Sequence, residues 1–271
     1  MGHSRQGKVA QKVLPMAFCI LAGGALGADQ GAQVSSPATG ITGRAESAAV
    51  PAMEFVQVPG GCYQMGTEKG EKHERPVHKV CLTDFEIGKF EVTQAQWKAL
   101  MGGNPSNFVG CGDNCPVDQV SWNDAQAFIQ KLNTSTGRRH RLPSEAEWEY
   151  ACRSGGKQDQ YPGNEVDKIA WGQENSNQTT HGVGLKMPND FGIHDMNGNV
   201  WEWVQDAFTT PYTSDAVQNN PVINQGEHRV LRGGSWNGKA NYVRCSIRNR
   251  TPADRRYFTI GFRIVRELER K

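Results

Sequence analysis

From Arg153 to Val230 the chain shows no sustained hydrophobic period. Glycine, proline, asparagine and aspartate recur throughout, and Trp171, Trp201 and Trp203 stand isolated. Such a segment keeps its shape through long loops laid on a scaffold, tryptophan anchors, disulfides or a bound metal. This composition points to a loop-rich α+β domain with modest regular structure, not a helical bundle or a parallel sheet.

The densest stretch is Gly192-Ile193-His194-Asp195-Met196-Asn197-Gly198-Asn199-Val200-Trp201-Glu202-Trp203. Asp195, Asn197 and Asn199 alternate, Gly198 permits a sharp turn, and Glu202 follows. Hard cations such as calcium draw oxygen ligands from carboxylates, amides and backbone carbonyls in a loop. The spacing is not that of an EF-hand. From spacing alone, an Asx-rich turn in which these side chains bond their own backbone is the competing reading.

Residues 1–27 read as an export signal. Arg5, Lys8 and Lys12 precede a mostly apolar run from Leu14 to Leu26, and Ala25-Leu26-Gly27 is a small-residue cleavage site. The run is shorter than the ~20 residues a membrane span needs. Bulky Phe18 argues against a lipid anchor on Cys19. Residues 28–52, rich in Ala, Gly, Ser and Thr, have linker composition. The folded domain is therefore expected at 53–268, periplasmic or secreted, with no stable membrane insertion. The chain holds 30 basic and 28 acidic residues; without the three basic residues of the signal the balance is 27 to 28. That leaves no positive field for nucleic acid.

Six cysteines remain after the signal: Cys62, Cys81, Cys111, Cys115, Cys152 and Cys245. An even count in an exported chain points to disulfides, with the pairing open. Zinc competes at Cys111-Gly-Asp-Asn-Cys115, although no second Cys/His pair stands at finger spacing.

Phe55 to Pro59 alternates as a strand, and Val77 to Ile87 holds two short β-like runs. Thr93 with Gln96 and Ser144 with Glu147 form capping boxes, and Ser121 caps a third helix. Glu145, Glu147 and Glu149 fall in early helical turns, where acids favour the dipole. Because they alternate, they are expected not to share a face and to be structural. His181 and His194 are read as hydrogen-bonded structural histidines, and His73 as a surface histidine until something pairs with it.

Several motifs together resemble the sulfatase-modifying-factor family, typified by the formylglycine-generating enzyme. They are Pro59-Gly60-Gly61 with Met65-Gly66, Glu91-Val92-Thr93, Val120-Ser121-Trp122, and Arg141-Leu142-Pro143-Ser144 running into Glu145 to Ala151. Asn199 to Trp203, Arg232-Gly233-Gly234-Ser235-Trp236 and Gly261-Phe262-Arg263 follow in family order. The resemblance implies a C-type-lectin-like formylglycine-generating-enzyme fold. It also implies a structural calcium held by Asp195, the carbonyls of Gly198 and Val200, and Glu202. It implies a Cys152–Cys245 bridge, with Cys62–Cys81 and Cys111–Cys115 the simplest remaining pairs.

The family's copper-dependent members carry two cysteines shortly after the Gly-Gly-Ser-aromatic motif. Trp236 to Arg244 contains none. Thiolates select Cu(I), so no copper and no copper-cysteine formylglycine chemistry is expected. Two branches fit better. One holds periplasmic relatives of pyoverdine-maturation type, implicated in oxidative maturation of a siderophore. The other holds binding modules whose loop between Gly-Gly-Ser-Trp and Gly-Phe-Arg is the ligand surface. The resemblance places Ser235, Trp236, Asn237, Asn241, Tyr242 and Arg244 on a cleft or its rim. The partner expected there is a secreted peptide, protein or peptide-like small molecule. The leading expectation is an exported protein assisting oxidative maturation by a route without the copper cysteines; the alternative is a calcium-stabilised binding module.

Overall fold

The computed structural model describes residues 51–157, 165–212 and 217–268. The expected signal, and all but the last two residues of the expected linker, lie outside them. All described residues fall within one unit, 46–271.

The alternation at Phe55–Val58 forms β1, which pairs antiparallel with β4 (Phe85–Gly88), Val58 opposite Phe85. On the other edge of β4 lies β11 (Val265–Arg266), followed by β5 (His140–Arg141). This sheet joins the two ends of the domain. A second sheet runs β2 (Gly61–Met65), β3 (His78–Leu82), β7 (Gln218–Asn219). Cys62 faces Cys81 across its antiparallel pair, and the two are bridged. The third sheet has the order β10 (Ile260–Phe262), β6 (Trp201–Ala207), β8 (His228–Arg232), β9 (Arg248–Pro252). β6 lies inside the aperiodic stretch. Glu202, Trp203 and Val204 are buried in succession, so the strand has no polar face to mark it.

The helices begin where their caps stand. Thr93, Ser121 and Ser144 each accept from the third residue of α1 (Gln94–Met101), α2 (Trp122–Thr136) and α3 (Glu145–Cys152), and their own amides donate back to the side chains of Gln96, Asp124 and Glu147. A fourth short helix, α4, spans Val166–Ile169. Ala125, Phe128, Ile129 and Leu132 of α2 enter a core with Trp97, Trp203 and Phe262. Phe128 stacks on Trp97 with centroids 5.4 Å apart. A second core gathers Trp148, Ile193, Met196 and Val204 around α3.

α3 departs from expectation. All eight of its residues are buried, and its acids do more than meet the helix dipole. Glu145 and Glu149 stand one turn apart and both address Arg232: Glu149 bonds its Nη2, and Glu145 lies 3.6 Å from its Nε. They therefore share a face, because alternation over four residues closes one helical turn. Glu145 also takes a fork from Arg248 at 2.5 and 2.8 Å, and Glu147 one from Arg141 at 2.6 and 2.7 Å. Burial pushes the Glu145 carboxyl up, but Arg248 and Arg232 outweigh it and hold it below the ordinary range. Arg232 and Arg248, both buried, are thus interior counter-ions.

All three expected bridges form: Cys62–Cys81, Cys111–Cys115 and Cys152–Cys245. Zinc at Cys111 and Cys115 is excluded, because those sulfurs are bonded to each other. His73 lies 3.1 Å from the Arg248 carbonyl through Nε2 and packs on Phe208.

Arg232→Met should cost roughly 3–5 kcal/mol in urea denaturation, since it leaves buried carboxylates short of a partner. Asp206 accepts from the backbone of Glu145 and Ile223, both at 2.8 Å. Burial, with Glu145 nearby, pushes its carboxyl from 3.8 to about 7. The folded state holds that proton more tightly, so the stability this group contributes is complete below about pH 4 and is lost as pH rises through about 7. The carboxyl ¹³C resonance of Asp206 should titrate near 7, and Asp206→Asn should flatten that part of the stability profile.

Candidate functional site

The loop from Gly192 to Val200 is built on left-handed residues: Asp195 at φ +55°, Gly198 at +87° and Asn199 at +55°. Asparagine and aspartate adopt this conformation more readily than other non-glycine residues. Gly198 is required twice over, since a Cβ there would lie 2.1 Å from the Trp171 carbonyl. Its amide donates to Gly233 O at 2.8 Å, and that of Asn199 to Trp171 O at 2.9 Å. The Val200 amide donates to Glu91 Oε1 at 3.2 Å, and that of Trp201 to Thr259 O at 2.8 Å. Each peptide is planar. Holding the Asn199 amide thus sets the Gly198 carbonyl, and holding the Trp201 amide sets that of Val200.

The Asx-turn alternative does not describe these side chains, which reach other segments. Asn197 donates to Val243 O at 2.6 Å, and Asn199 to Glu91 Oε2 at 2.7 Å while accepting from His181 N at 3.0 Å. Asp195 Oδ2 accepts from Gly184 N at 2.7 Å. Asp195 Oδ1 is buried and has no hydrogen-bond partner.

Glu91, Asp195, Glu202 and Arg263 are all at most 3% exposed. Arg263 forks onto Glu202 with two bonds of 2.7 Å, and Trp148 Nε1 adds a third of 2.7 Å. A carboxylate has about four acceptor positions, so Glu202 keeps one. Burial, then Asp195 and Glu202, push the Glu91 carboxyl well up, and burial raises Asp195. Three carboxylates therefore crowd one guanidinium, and one of their oxygens is orphaned. Among the described residues no three His, Cys, Asp or Glu side chains form a metal-ligand group by themselves. A donor set of two carboxylates and two carbonyls is of another kind, and the orphaned Asp195 oxygen with the open position on Glu202 fits a hard cation. Glu91 was not singled out from the sequence as a site residue. Its place beside Thr93 reads only as the approach to α1, and nothing local signals that it lies against residues 199–200.

His181 stacks on Trp171, centroids 3.7 Å apart, with Lys186 Nζ 3.9 Å from the Trp171 ring centroid. His181 Nε2 lies 2.7 Å from Ser176 O, and His194 Nδ1 lies 2.8 Å from Lys186 O. Both are structural histidines.

The six loop residues do not share one cleft. Ser235 is fully buried and donates to Asn237 Oδ1 at 2.8 Å. Trp236, 8% exposed, donates to Phe258 O at 3.3 Å and meets Phe108 edge-on at 5.4 Å. Trp236 and Asn237 border a depression of about 500 Å³ with Gln173, Ser176 and Gln178. Asn241 and Arg244 border a separate one of about 430 Å³ with Lys69 and Glu71. Arg244 is forked onto Glu74 by two bonds of 2.9 Å. Asn237, Asn241 and Tyr242 are exposed.

Residues 42–268 match the family described as sulfatase-modifying factor enzyme 1-like domain. The chain belongs to that family. The "Chaperone protein LppX" of Paenibacillus barcinonensis is 31% identical over 267 residues, covering 79% of this chain and 89% of that one. The structure of variable protein 1 of Treponema denticola superposes with a TM-score of 0.76 at 30% identity, over 81% of this chain and 98% of that one. That of PvdO from Pseudomonas aeruginosa gives 0.71 at 29% identity, over 79% and 94%. The chain also matches the serine/threonine-protein kinase pkn1 of Chlamydia pneumoniae at 30% identity, but spans 38% of its length. These likenesses agree with an α+β sulfatase-modifying-factor fold.

Within this member of the family, frame and surface residues separate. Trp236→Ala should lose roughly 3–5 kcal/mol in urea denaturation, whereas Tyr242→Ala should stay within about 0.5 kcal/mol.

Proposed function

We propose that the protein is an exported sulfatase-modifying-factor-like module that binds a secreted peptide, protein or peptide-like small molecule during its maturation. The observation that carries this reading is the state of the sulfurs. All six cysteines of the described domain are consumed in three bridges, so the loop at 235–244 offers no thiolate to bind Cu(I) or to attack a substrate cysteine. What it offers is a tip with exposed Asn237, Asn241 and Tyr242, carried on a buried base of Ser235 and Trp236. Rigid aromatic and adaptable amide side chains of this kind suit recognition of polar partners. The likeness to a protein named a chaperone and to a variable protein supports an accessory or binding role.

The loop at 195–202 is proposed to hold a structural calcium through Asp195, the Gly198 and Val200 carbonyls and Glu202. Calcium there would supply the divalent charge that these carboxylates lack. The surrounding residues keep the carbonyls oriented and exclude water. Export is supported by the signal-like residues 1–27; among the described residues no helix is long and apolar enough to cross a membrane.

A second reading is oxidative maturation by a route without the cysteine pair, which the likeness to PvdO favours. Metal analysis of the purified protein, with oxygen uptake measured against cysteine-bearing peptides in the presence of Cu(I), separates the two. Calcium with no oxygen uptake is the expected result. Copper-dependent uptake would sink the binding reading, and uptake with another metal or cofactor would establish the second.

A further inference from the structure

The carboxylate absent from the family's ligand set is the best placed to govern the loop. Glu91 is 1% exposed and belongs to the segment between β4 and α1, far in sequence from residues 195–202. Its two oxygens take the Asn199 side chain at 2.7 Å and the Val200 amide at 3.2 Å. Asn199 is a left-handed residue at φ +55°, a conformation that disfavours a side chain and persists when its surroundings hold it. Glu91 holds it from the side-chain end, while Trp171 O holds its amide at 2.9 Å. The peptide between Asn199 and Val200 is then fixed, and with it the short run that carries the Gly198 and Val200 carbonyls. A second, independent observation points to an occupant: Asp195 Oδ1 is buried without a hydrogen-bond partner. Arg263 is the buried cation whose charge reaches Glu91, Asp195 and Glu202, and its fork is taken by Glu202.

We infer that Glu91 is the positioning residue of this cation site. It does not ligate. It holds Asn199 and Val200 so that the two carbonyls are presented before the cation arrives. The inference rests on the calcium reading above. Outer partners of this kind alter metal affinity by roughly 10- to 100-fold when removed.

The test is calcium titration of the purified wild-type protein and of Glu91→Gln, by calorimetry and by terbium luminescence sensitised through the neighbouring tryptophans. Wild type should bind one calcium. The variant should bind about 10- to 100-fold more weakly, with the melting temperature of the calcium-free protein little changed. A purely structural role would lower that melting temperature and leave affinity untouched, which overturns the inference. Equal affinity in the two proteins also overturns it while leaving calcium binding intact; absence of binding in wild type sinks both. Should the variant not fold, the wild-type protein still decides the matter. The Asn199 side-chain amide and Val200 backbone amide resonances must shift in step with calcium binding, and no shift while calcium binds defeats the proposal.

Discussion

The pairing of α3 carboxylates with arginines from elsewhere is the contact on which the remainder of the domain depends. An α-helix that buries Glu145, Glu147 and Glu149 is untenable unless each meets a cation. The cations come from β5 (Arg141), β8 (Arg232) and β9 (Arg248). Glu149 also accepts from Gly66 N at 2.9 Å, just beyond β2. One helix of eight residues thus specifies the mutual placement of strands from all three sheets. Ion pairs of this kind contribute little net stability over an apolar filling, yet removing one partner is severe. Their value here is register: a slipped β8 or β9 would strand two carboxylates in the interior.

That arrangement explains what was legible in the sequence and what was not. The capping boxes at Thr93 and Ser144 are local chemistry, and both were readable along with the Ser121 cap, as were the strand at Phe55–Val58 and the paired runs around Thr83. β6 was not, because its residues are buried on both faces and alternate in nothing. The acids of α3 were readable as structural but not as sharing a face, since their partners lie far along the chain. At the site, Asp195, Asn197, Asn199 and Glu202 stood out as a cluster of oxygen-bearing side chains around the Gly198 turn, and the expected ligand set came from the family resemblance. Glu91 did not: its importance comes from contacts more than 100 residues away, to Asn199 and Val200. The loop residues at 235–244 were found as a group, but their division into a buried base and an exposed tip follows from Phe108 and Phe258 closing over Trp236.

The loop at 195–202 and the loop at 235–244 are joined by hydrogen bonds. Trp236 N donates to Asn199 O at 2.8 Å, and Asn197 donates to Val243 O at 2.6 Å. The carboxylate-rich loop therefore forms the floor on which the loop at 235–244 stands. A cation that stiffened residues 195–202 would stiffen that floor without touching any partner, so cation binding and partner binding can be linked although their sites share no ligand group.

The loop at 235–244 is clamped at both ends. Gly238 O takes the Gln173 amide at 2.9 Å, Arg244 is gripped by Glu74, and Cys245 is bridged to Cys152. Between these clamps, Lys239 to Tyr242 form a short exposed turn. Replacement of those residues is therefore separated from the cost of folding. Residues 239–242 can therefore change while the frame beneath them keeps its contacts.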